Sequence, residues 1–281
     1  MSKKVLITGA TGFVGRQVLR HITREDVRLT VVLRDGKQAA LIDHPAIEAV
    51  ITSPDLFEET AAWWTNALEG IDTVIHVAWH VESGSYLQSS KNFDCLQGTL
   101  NMAKGTVQAG VRRFIGIGTC FEYDLSHGPI SIETALRPLT PYAATKAAAF
   151  LALSQFLPSQ EVEFSWCRLF YLFGEGEDER RLVPYLRLKL ATGQPAELSS
   201  GKQILDFMDV SEAGRMIANC ALSRHLGPAN ICSGEPITVR QLAEGIADEY
   251  GRRDLLKFRA RPEKSFDPQL VVGKKTLFDN C

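Results

Sequence analysis

The sequence lacks long apolar runs, an excess of charge of either sign and closely spaced cysteines. No apolar run approaches the roughly 20 residues of a membrane-spanning helix, so we expect no membrane association. Its 31 basic and 33 acidic residues give a formal net charge of −2, which predicts no nucleic-acid partner. The apolar run Val5-Leu6-Ile7 near the start is too short for a signal peptide, which favours a cytoplasmic location.

The cysteines are scattered, and the sequence contains no C-x-x-C pair. This spacing argues against a disulfide framework and against a zinc site, so we predict no metal. We expect reduced thiols that pack as small hydrophobic side chains. The six residues concerned are Cys95, Cys120, Cys167, Cys220, Cys232 and Cys281.

Short β-branched runs alternate with helical patterns through the first 170 residues. The predicted strands cover 5–8, 29–33, 47–51, 73–77, 114–117 and 164–169. The predicted helices cover about 13–23, 37–43, 58–69, 92–110 and 141–157. The strands lack strict polar alternation, which is typical of parallel strands covered on both faces. The pattern predicts an α/β fold of the Rossmann type, with a doubly wound parallel sheet.

After residue 170 the alternation weakens. Helical stretches are predicted near 180–192, 211–223 and 238–250. Glycine and proline turns separate them, among them Gly193-Gln194-Pro195, Gly227-Pro228 and Gly234-Glu235-Pro236. We predict a main domain of residues 1–170 and a smaller carboxy-terminal region of residues 171–281, with a soft boundary and interleaved segments. The tail from about 259 has no clear period and is not assigned.

A glycine-rich segment follows the first predicted strand and precedes a helix. Its pattern, G-x-x-G-x-x-G, is a spacing variant of the dinucleotide fingerprint. Gly9 would allow a tight turn, Gly12 a close approach to a pyrophosphate, and Gly15 close packing of helix on strand. Turns also collect glycine for structural reasons, but the position at the first strand favours a nicotinamide cofactor. The predicted cofactor contacts here are Gly9, Thr11, Gly12, Phe13, Val14 and Gly15.

The end of the second predicted strand bears on which nicotinamide cofactor binds. An acidic residue at this tip suits the adenosine ribose of NAD, whereas an arginine suits the extra phosphate of NADP. Arg34 occupies the expected tip and favours NADP(H). Asp35 follows directly and leaves NAD(H) open, and Arg34 as a solvated surface charge is the structural alternative.

Tyr142 and Lys146 lie four residues apart, hence on one face of a predicted helix. A positive charge nearby would lower the phenol pKa by roughly one to three units and prepare it for proton transfer during hydride transfer. The alternative is an exposed pair on a helix surface. Thr119, at the end of the fifth predicted strand, has the hydroxyl needed to hold a substrate carbonyl. Cys120 competes for that role, although a buried structural role suits it better.

With these residues, the chain resembles the extended short-chain dehydrogenases that act on nucleotide sugars, over nearly its whole length. The segments that carry the resemblance are TGATGFVG (8–15), IDTVIHVAW (71–79), QGTLNM (97–102), RRFIGIGTCFEY (112–123), PYAATK (141–146), RLFYLFGEG (168–176), ILDFMDV (204–210) and GPANICSGEPITVRQLA (227–243).

The resemblance implies a role for each residue that matches the family pattern. Thr119, Tyr142 and Lys146 would be the catalytic triad, and the region 171–281 would bind the nucleotide-sugar substrate. The implied contacts to adenine and to the rest of the cofactor are Asp55, Leu56, Val77 and Ala78, with His76 structural. The implied substrate contacts are Thr119, Tyr171, Val183 and Tyr185.

Departures from the family pattern narrow the reaction. The 4,6-dehydratases carry an acid pair where this chain has Cys120 and Phe121, which argues against dehydration. The GDP-fucose synthases carry a cysteine at the position of Phe121. Many 4-epimerases hold the substrate diphosphate with an arginine at the position of Leu205. An asparagine is common in the family three residues before the glycine of the QGT segment, where this chain has Cys95.

Four hypotheses remain. The first is an NADPH-dependent reductase of the C4 ketone of a nucleotide-linked 4-dehydro-6-deoxyhexose, which the HVAW and GTCFEY segments resemble most. The second is a nucleotide-sugar 4-epimerase with tightly bound NAD, and the third is a non-catalytic dinucleotide-binding sensor. Reductases of other ketones or aldehydes are also open. By resemblance, the predicted helices from about 92 and 142 would form a homodimer contact.

Overall fold

Strands and helices alternate along the chain in a computed structural model, which describes residues 2–126, 128–263 and 268–279. The strands are β1 Lys3–Thr8, β2 Val27–Arg34, β3 Ile47–Ser53, β4 Thr73–His76, β5 Arg113–Thr119, β6 Glu163–Leu169, β7 Tyr171–Phe173, β8 Ala196–Glu197, β9 Ile204–Leu205, β10 Phe207–Asp209, β11 Gly227–Ile231, β12 Ile237–Thr238, β13 Leu256–Lys257 and β14 Leu270–Val271. The helices are α1 Phe13–Ile22, α2 Ala61–Ala67, α3 Lys91–Gln108, α4 Pro141–Ser159, α5 Leu182–Ala191, α6 Val210–Leu222 and α7 Val239–Glu249.

The main sheet has seven strands in the order β11-β6-β5-β4-β1-β2-β3, and every neighbouring pair is parallel. The chain winds outward in one direction from β1 and in the other from β4. The strand order therefore reverses between β1 and β4, which opens a crevice at the carboxyl ends of these strands. This architecture confirms the predicted doubly wound α/β fold.

The alternation of side chains along β1 supplies both faces of the sheet with core residues. Val5 and Ile7 pack with α1 and α6, whereas Leu6 packs with α2, α3 and α4 on the opposite face. All three side chains are fully buried. Each such side chain contributes about 1.5–3 kcal/mol through its removal from water. Because both faces are covered, the strand reads as a continuous apolar run.

Two local predictions are wrong. The predicted helix at 37–43 is only a short 3-10 turn, Gln38–Ala40. The Gly227-Pro228 pair, predicted as a turn, opens strand β11, which pairs with β6 at the edge of the main sheet. Proline is tolerated on an edge strand because its missing N–H need not serve a second neighbour. The chain thus returns to the main sheet after residue 170, and the division there stays a prediction.

The carboxy-terminal residues also build a small core of their own, from α5 and α7 with the short strands β8 and β13. A second small sheet joins β12, β9 and β14, so part of the unassigned tail forms a strand. The carboxylate of Asp206 is buried beside this sheet and accepts hydrogen bonds from the backbone N–H groups of Ser233, Gly234 and Gly273. These bonds hold three separate loops together.

The described helices include none with the length and apolar composition that crossing a bilayer requires. Five cysteines lie within the described residues, and all five are free and buried. Cys281 lies outside the described residues.

Gly214 on α6 tests the packing of α6 on α1, and Gly245 on α7 is its matched control. A Cβ at Gly214 would lie 2.6 Å from the backbone carbon of Gln17, whereas a Cβ at Gly245 meets nothing within 4 Å. Gly214→Ala should therefore destabilise the protein by about 1–3 kcal/mol through overpacking. Gly245→Ala should stabilise it by up to about 1 kcal/mol, because alanine favours helix. Urea unfolding midpoints measure both changes, and equal shifts would contradict this packing.

Candidate active site

A cavity of about 390 Å³ opens at the carboxyl ends of β1 and β4, where the strand order reverses. It collects residues that are far apart in the sequence. The predicted site residues that line it are Gly9, Gly12, Phe13, Val14, Gly15, Arg34, Asp55, Leu56, Val77, Ala78, Thr119, Tyr142, Lys146 and Tyr171. The fold therefore gathers the predicted cofactor and catalytic residues around one space.

The glycine loop is built for close backbone contact. Gly9 has φ of +72°, and a Cβ there would lie 2.7 Å from the backbone nitrogen of Ala78. A Cβ at Gly15 would lie 2.0 Å from the carbonyl oxygen of Gly9. Gly12 is the N-cap of α1 and offers no side chain, and the first helical residues, Phe13, Val14 and Gly15, line the cavity with N–H groups that have no partner within the helix. A pyrophosphate fits this cradle, because a helix amino terminus with free N–H groups favours an anion.

The far end of the cavity is basic. Arg34, at the end of β2, and Lys37 both line it, and both side chains are exposed. Asp35 does not line the cavity. Of these two neighbours at the end of β2, Arg34 rather than Asp35 therefore borders the cavity.

A buried hydrogen-bond chain fixes the cavity wall beside the glycine loop. Thr99 Oγ1 donates to the carbonyl oxygen of Cys95, so it must accept from His76 Nε2 at 3.0 Å. His76 Nδ1 then accepts from Thr8 Oγ1 at 2.9 Å, and that oxygen accepts from the backbone N–H of Ala78. Burial lowers the pKa of His76 to about 3, with a smaller effect of Lys146, so the ring stays neutral. His76 thus has the structural contacts that the resemblance implies.

Tyr142 and Lys146 lie one turn apart on the buried face of α4. The Thr140 hydroxyl caps this helix by accepting from the backbone N–H of Ala143, and Pro141 stands at its start. Lys146 Nζ donates to the carbonyl oxygen of Ile117 at 2.5 Å.

Two aromatic rings cover this pair. Lys146 Nζ lies 3.7 Å from the centre of the Trp79 ring, an arrangement that stabilises an ammonium. The Tyr86 ring meets the Tyr142 ring edge to face, with centroids 4.9 Å apart. Both rings come from the segment after β4, so helix and segment together enclose the pair.

Burial dominates the ionisation of the pair, contrary to the sequence-based expectation. Burial raises the pKa of Tyr142, the neighbouring Tyr86 raises it further, and a hydrogen bond with Thr119 lowers it in part. Burial also lowers the pKa of Lys146 to about 7, opposed by Glu122 and Cys95. Because Lys146 loses its proton near pH 7, its charge is absent at the higher pH where Tyr142 would ionise. Tyr142 therefore stays protonated at neutral pH.

Thr119 ends β5, and its backbone N–H donates to Glu122 Oε1 at 2.8 Å. The adjacent Cys120 is buried, and this burial raises the pKa of its thiol well above the ordinary range. The thiol is thus a poor proton donor or nucleophile here. Of the two candidates, Thr119 carries the hydroxyl, and its side chain is the one that lowers the pKa of Tyr142.

Three predicted contacts lie away from the cavity lining. Thr11 belongs to the glycine loop but does not line the cavity. Val183 and Tyr185 line a neighbouring cavity of about 310 Å³, which shares Tyr171 with the first. Val183 is buried in the small core, and the Tyr185 hydroxyl accepts from the backbone N–H of Glu197 at 3.0 Å.

Sequence reasoning assigned no cavity role to several residues that line the main cavity: Lys37, Phe57, Trp79, Tyr86, Phe121, Phe170, Asp178 and Arg181. Trp79 had a signal, because it lies two residues beyond the fourth predicted strand, at the edge where the glycine loop lies. Tyr86 lies in a stretch where no helix or strand is predicted. Arg181 lies at the start of the helix predicted near 180–192 and is the N-cap of α5, a position where helical periodicity does not indicate the direction of the side chain.

A parallel sheet whose order reverses beside a glycine loop, with a tyrosine–lysine pair facing that loop, defines a dinucleotide-binding protein of the extended short-chain dehydrogenase class. Residues 5–231 match the NAD dependent epimerase/dehydratase family, and the chain belongs to this family.

One curated relative is a dTDP-6-deoxy-L-talose 4-dehydrogenase (NAD(+)) of Aggregatibacter actinomycetemcomitans, 23% identical over 274 residues, which are 96% of this chain and 99% of the relative. A solved UDP-N-acetylglucosamine 4-epimerase from Methanobrevibacter ruminantium M1 superposes with a TM-score of 0.86 at 22% identity, over 98% of this chain and 90% of that chain. The UDP-glucose 4-epimerase of Thermus thermophilus, in complex with NAD, gives a TM-score of 0.79 at 21% identity, over 96% of this chain and 90% of that chain. All three are named for reactions of nucleotide-linked sugars.

Replacement of Lys146 tests its burial through the pH dependence of stability. The pKa of Lys146 is about 7 when folded against an ordinary 10.5, so the unfolded chain binds more protons between these values. Wild-type stability should therefore rise with pH across this window, and the penalty for a buried charge is complete below pH 7. Lys146→Met removes that penalty. We therefore compare the melting temperature of Lys146→Met minus that of the wild type at each pH. This difference should be larger at about pH 6 than at about pH 9, by about 3 °C or more.

Thermal unfolding followed by circular dichroism at both pH values measures this difference, in which pH-independent effects of the substitution cancel. Lys104→Met on α3 is the matched control, because its side chain is exposed. If the change between pH 6 and pH 9 is the same for Lys146→Met as for Lys104→Met, the lowered pKa of Lys146 is contradicted.

Proposed function

We propose that the protein is an NADPH-dependent reductase of the C4 ketone of a nucleotide-linked 4-dehydro-6-deoxyhexose. The observation that carries the proposal is the meeting of Thr119, Tyr142 and Lys146 in one cavity with the glycine loop. The relative named as a dTDP-6-deoxy-L-talose 4-dehydrogenase supports it, since oxidation at C4 of such a sugar is the reverse of this reduction.

Each of the three residues has a separate role in ketone reduction. The nicotinamide cofactor supplies hydride to the C4 carbon when it is bound. Tyr142 gives its phenolic proton to the carbonyl oxygen, which becomes the hydroxyl of the product, and Thr119 orients that oxygen. Lys146 binds the nicotinamide ribose. Burial keeps Tyr142 protonated at neutral pH, and this is the form that the reduction consumes.

The contacts around Thr119 argue against dehydration. The acid pair of a 4,6-dehydratase is replaced by Cys120 and Phe121, and the thiol is buried with a raised pKa. The nearest carboxylate, Glu122, is fully buried and accepts from Trp166 Nε1 and from Arg168 Nε. It is therefore committed to structural contacts rather than aimed at a substrate.

The second cavity provides charge for a nucleotide diphosphate, although Leu205 stands where many 4-epimerases have an arginine. Arg180, Arg181 and Arg261 line this cavity, and Arg181 lines the main cavity as well. Guanidinium groups bind phosphates through paired N–H donors. Arg181 thus lies where a sugar diphosphate could bridge the two cavities, and Tyr171, on the wall that both share, would contact the sugar.

A homodimer remains part of the proposal. Three large apolar side chains on α3 and α4 are exposed: Phe93, Leu151 and Phe156. Exposed apolar groups on adjacent helices are the kind of surface that a second copy would bury.

The choice of NADPH rests on Arg34 and Lys37 at the ribose end of the cavity, whereas several solved relatives are named with NAD. Arg34→Ala and Lys37→Ala should each raise the KM for NADPH by about tenfold or more, because each removes a charge-assisted bond to the extra phosphate. The KM for NADH should stay within about twofold. Steady-state kinetics with each cofactor make the comparison.

Arg28→Ala is the matched control, since Arg28 lies on the same strand, β2, at its opposite end. Equal losses with NADPH and NADH would show that these side chains do not recognise the extra phosphate.

The activity itself is tested by nicotinamide absorbance with dTDP-, GDP-, CDP- and UDP-linked 4-dehydro-6-deoxy sugars. We expect oxidation of NADPH with one of them. Tyr142→Phe should lower kcat by at least about a hundredfold, because it removes the proton donor. Tyr250→Phe, an exposed tyrosine, should leave kcat unchanged.

Absence of NADPH oxidation with every sugar would refute the reductase. Interconversion of ordinary NDP-hexoses without added reductant would then identify the alternative, a 4-epimerase with tightly bound NAD. Cofactor binding without any turnover would instead identify a dinucleotide-binding sensor.

A further inference from the structure

One buried asparagine on α3 joins the two aromatic residues that cover the tyrosine–lysine pair. Asn92 is fully buried. Its Oδ1 accepts from Trp79 Nε1 at 2.9 Å, and its Nδ2 donates to the carbonyl oxygens of Tyr86 at 2.6 Å and Ser89 at 2.9 Å. Both N–H groups of the amide and its oxygen are thus used.

The orientation of this amide is fixed by its partners. An indole nitrogen only donates and a carbonyl oxygen only accepts, so the amide cannot be reversed. Asparagine is also the side chain that fits, because aspartate lacks the two donors and leucine lacks every polar atom.

The two residues that Asn92 holds each touch one member of the proposed catalytic pair. The Trp79 ring lies 3.7 Å from Lys146 Nζ, and the Tyr86 ring packs on Tyr142 at 84° between the ring planes. These contacts are made by a segment without regular structure except the short 3-10 turn Tyr86–Gln88. Its position therefore depends on anchors such as Asn92.

We propose that Asn92 is a positioning residue, which holds Trp79 against Lys146 and Tyr86 against Tyr142 and so sets the geometry of the proton-transfer pair. The inference rests on the proposed function for its kinetic part alone. Its structural part, the link from Asn92 to Trp79 and on to Lys146, holds for the protein without any substrate.

The structural part is tested by fluorine NMR of protein labelled with 5-fluorotryptophan, which should give one resonance for each of its four tryptophans. The resonance lost in Trp79→Phe identifies Trp79. We expect Asn92→Ala to shift or broaden that resonance and leave the other three in place, and Lys146→Met to shift it as well. Asn101→Ala is the matched control on the same helix, because its amide donates to the Glu59 carbonyl oxygen, away from Trp79.

The kinetic part uses the same variants with the ketone that NADPH reduces. Asn92→Ala should lower kcat by about tenfold, because Trp79 and Tyr86 lose their anchor, and the KM for the ketone should stay within about twofold. Trp79→Phe keeps an aromatic face but loses the indole N–H, so it should lower kcat by a similar factor. The double variant should be no slower than the slower single variant, because both break the same link.

A Trp79 resonance unchanged in Asn92→Ala overturns the proposal whether or not any ketone is reduced. A shifted resonance with unchanged kcat overturns the positioning role, as does a double variant whose losses multiply. If Asn92→Ala does not fold, Trp79→Phe and Lys146→Met test the link instead, because both side chains line the cavity and their replacement is expected to leave the fold intact. An unshifted Trp79 resonance in Lys146→Met then overturns the proposal.

Discussion

The buried carboxylate of Glu122 is the constraint on which the end of the central strand β5 depends. It accepts from the backbone N–H of Thr119 at 2.8 Å, from Trp166 Nε1 at 3.0 Å and from Arg168 Nε at 2.7 Å. Burial of an unpaired carboxylate would cost several kcal/mol, and these donors offset that cost. A Cβ at Gly118 would lie 2.3 Å from Glu122 Oε1, so the glycine and the carboxylate form one arrangement that places Thr119.

The sequence predicts the fold wherever local pattern and tertiary environment agree. Six strands of the main sheet are predicted from short apolar runs without strict polar alternation. Five of them, β1, β2, β4, β5 and β6, are largely buried, whereas β3 at the sheet edge is mostly exposed. Strand β11 is missed because Pro228 reads as a turn residue, whereas its edge position, which makes proline tolerable, is set only by the folded sheet. The helix expected at 37–43 fails because Lys37, Gln38, Ala40 and Ile42 are exposed, and Leu41 alone among the described side chains there packs against the core.

The same distinction separates what could be predicted about the site from what could not. Spacing alone places Tyr142 and Lys146 on one helix face, and position along the sheet places the glycine loop beside them. Spacing does not show what covers that face. The rings of Trp79 and Tyr86 exclude water from the pair, so burial raises the pKa of Tyr142 where proximity to Lys146 was expected to lower it.

This covering also bears on the choice between reductase and epimerase. An epimerase must turn its ketone intermediate within the site so that hydride returns to the opposite face, whereas a reductase needs a single orientation. Trp79, Tyr86 and Phe121 line the cavity, and Phe121 packs edge to face on Tyr171, with ring centroids 5.9 Å apart. Walls of large rings packed against one another resist rearrangement, because such interiors deform little. Restricted turning of the sugar ring against such walls supports the proposed reduction over the alternative, epimerisation.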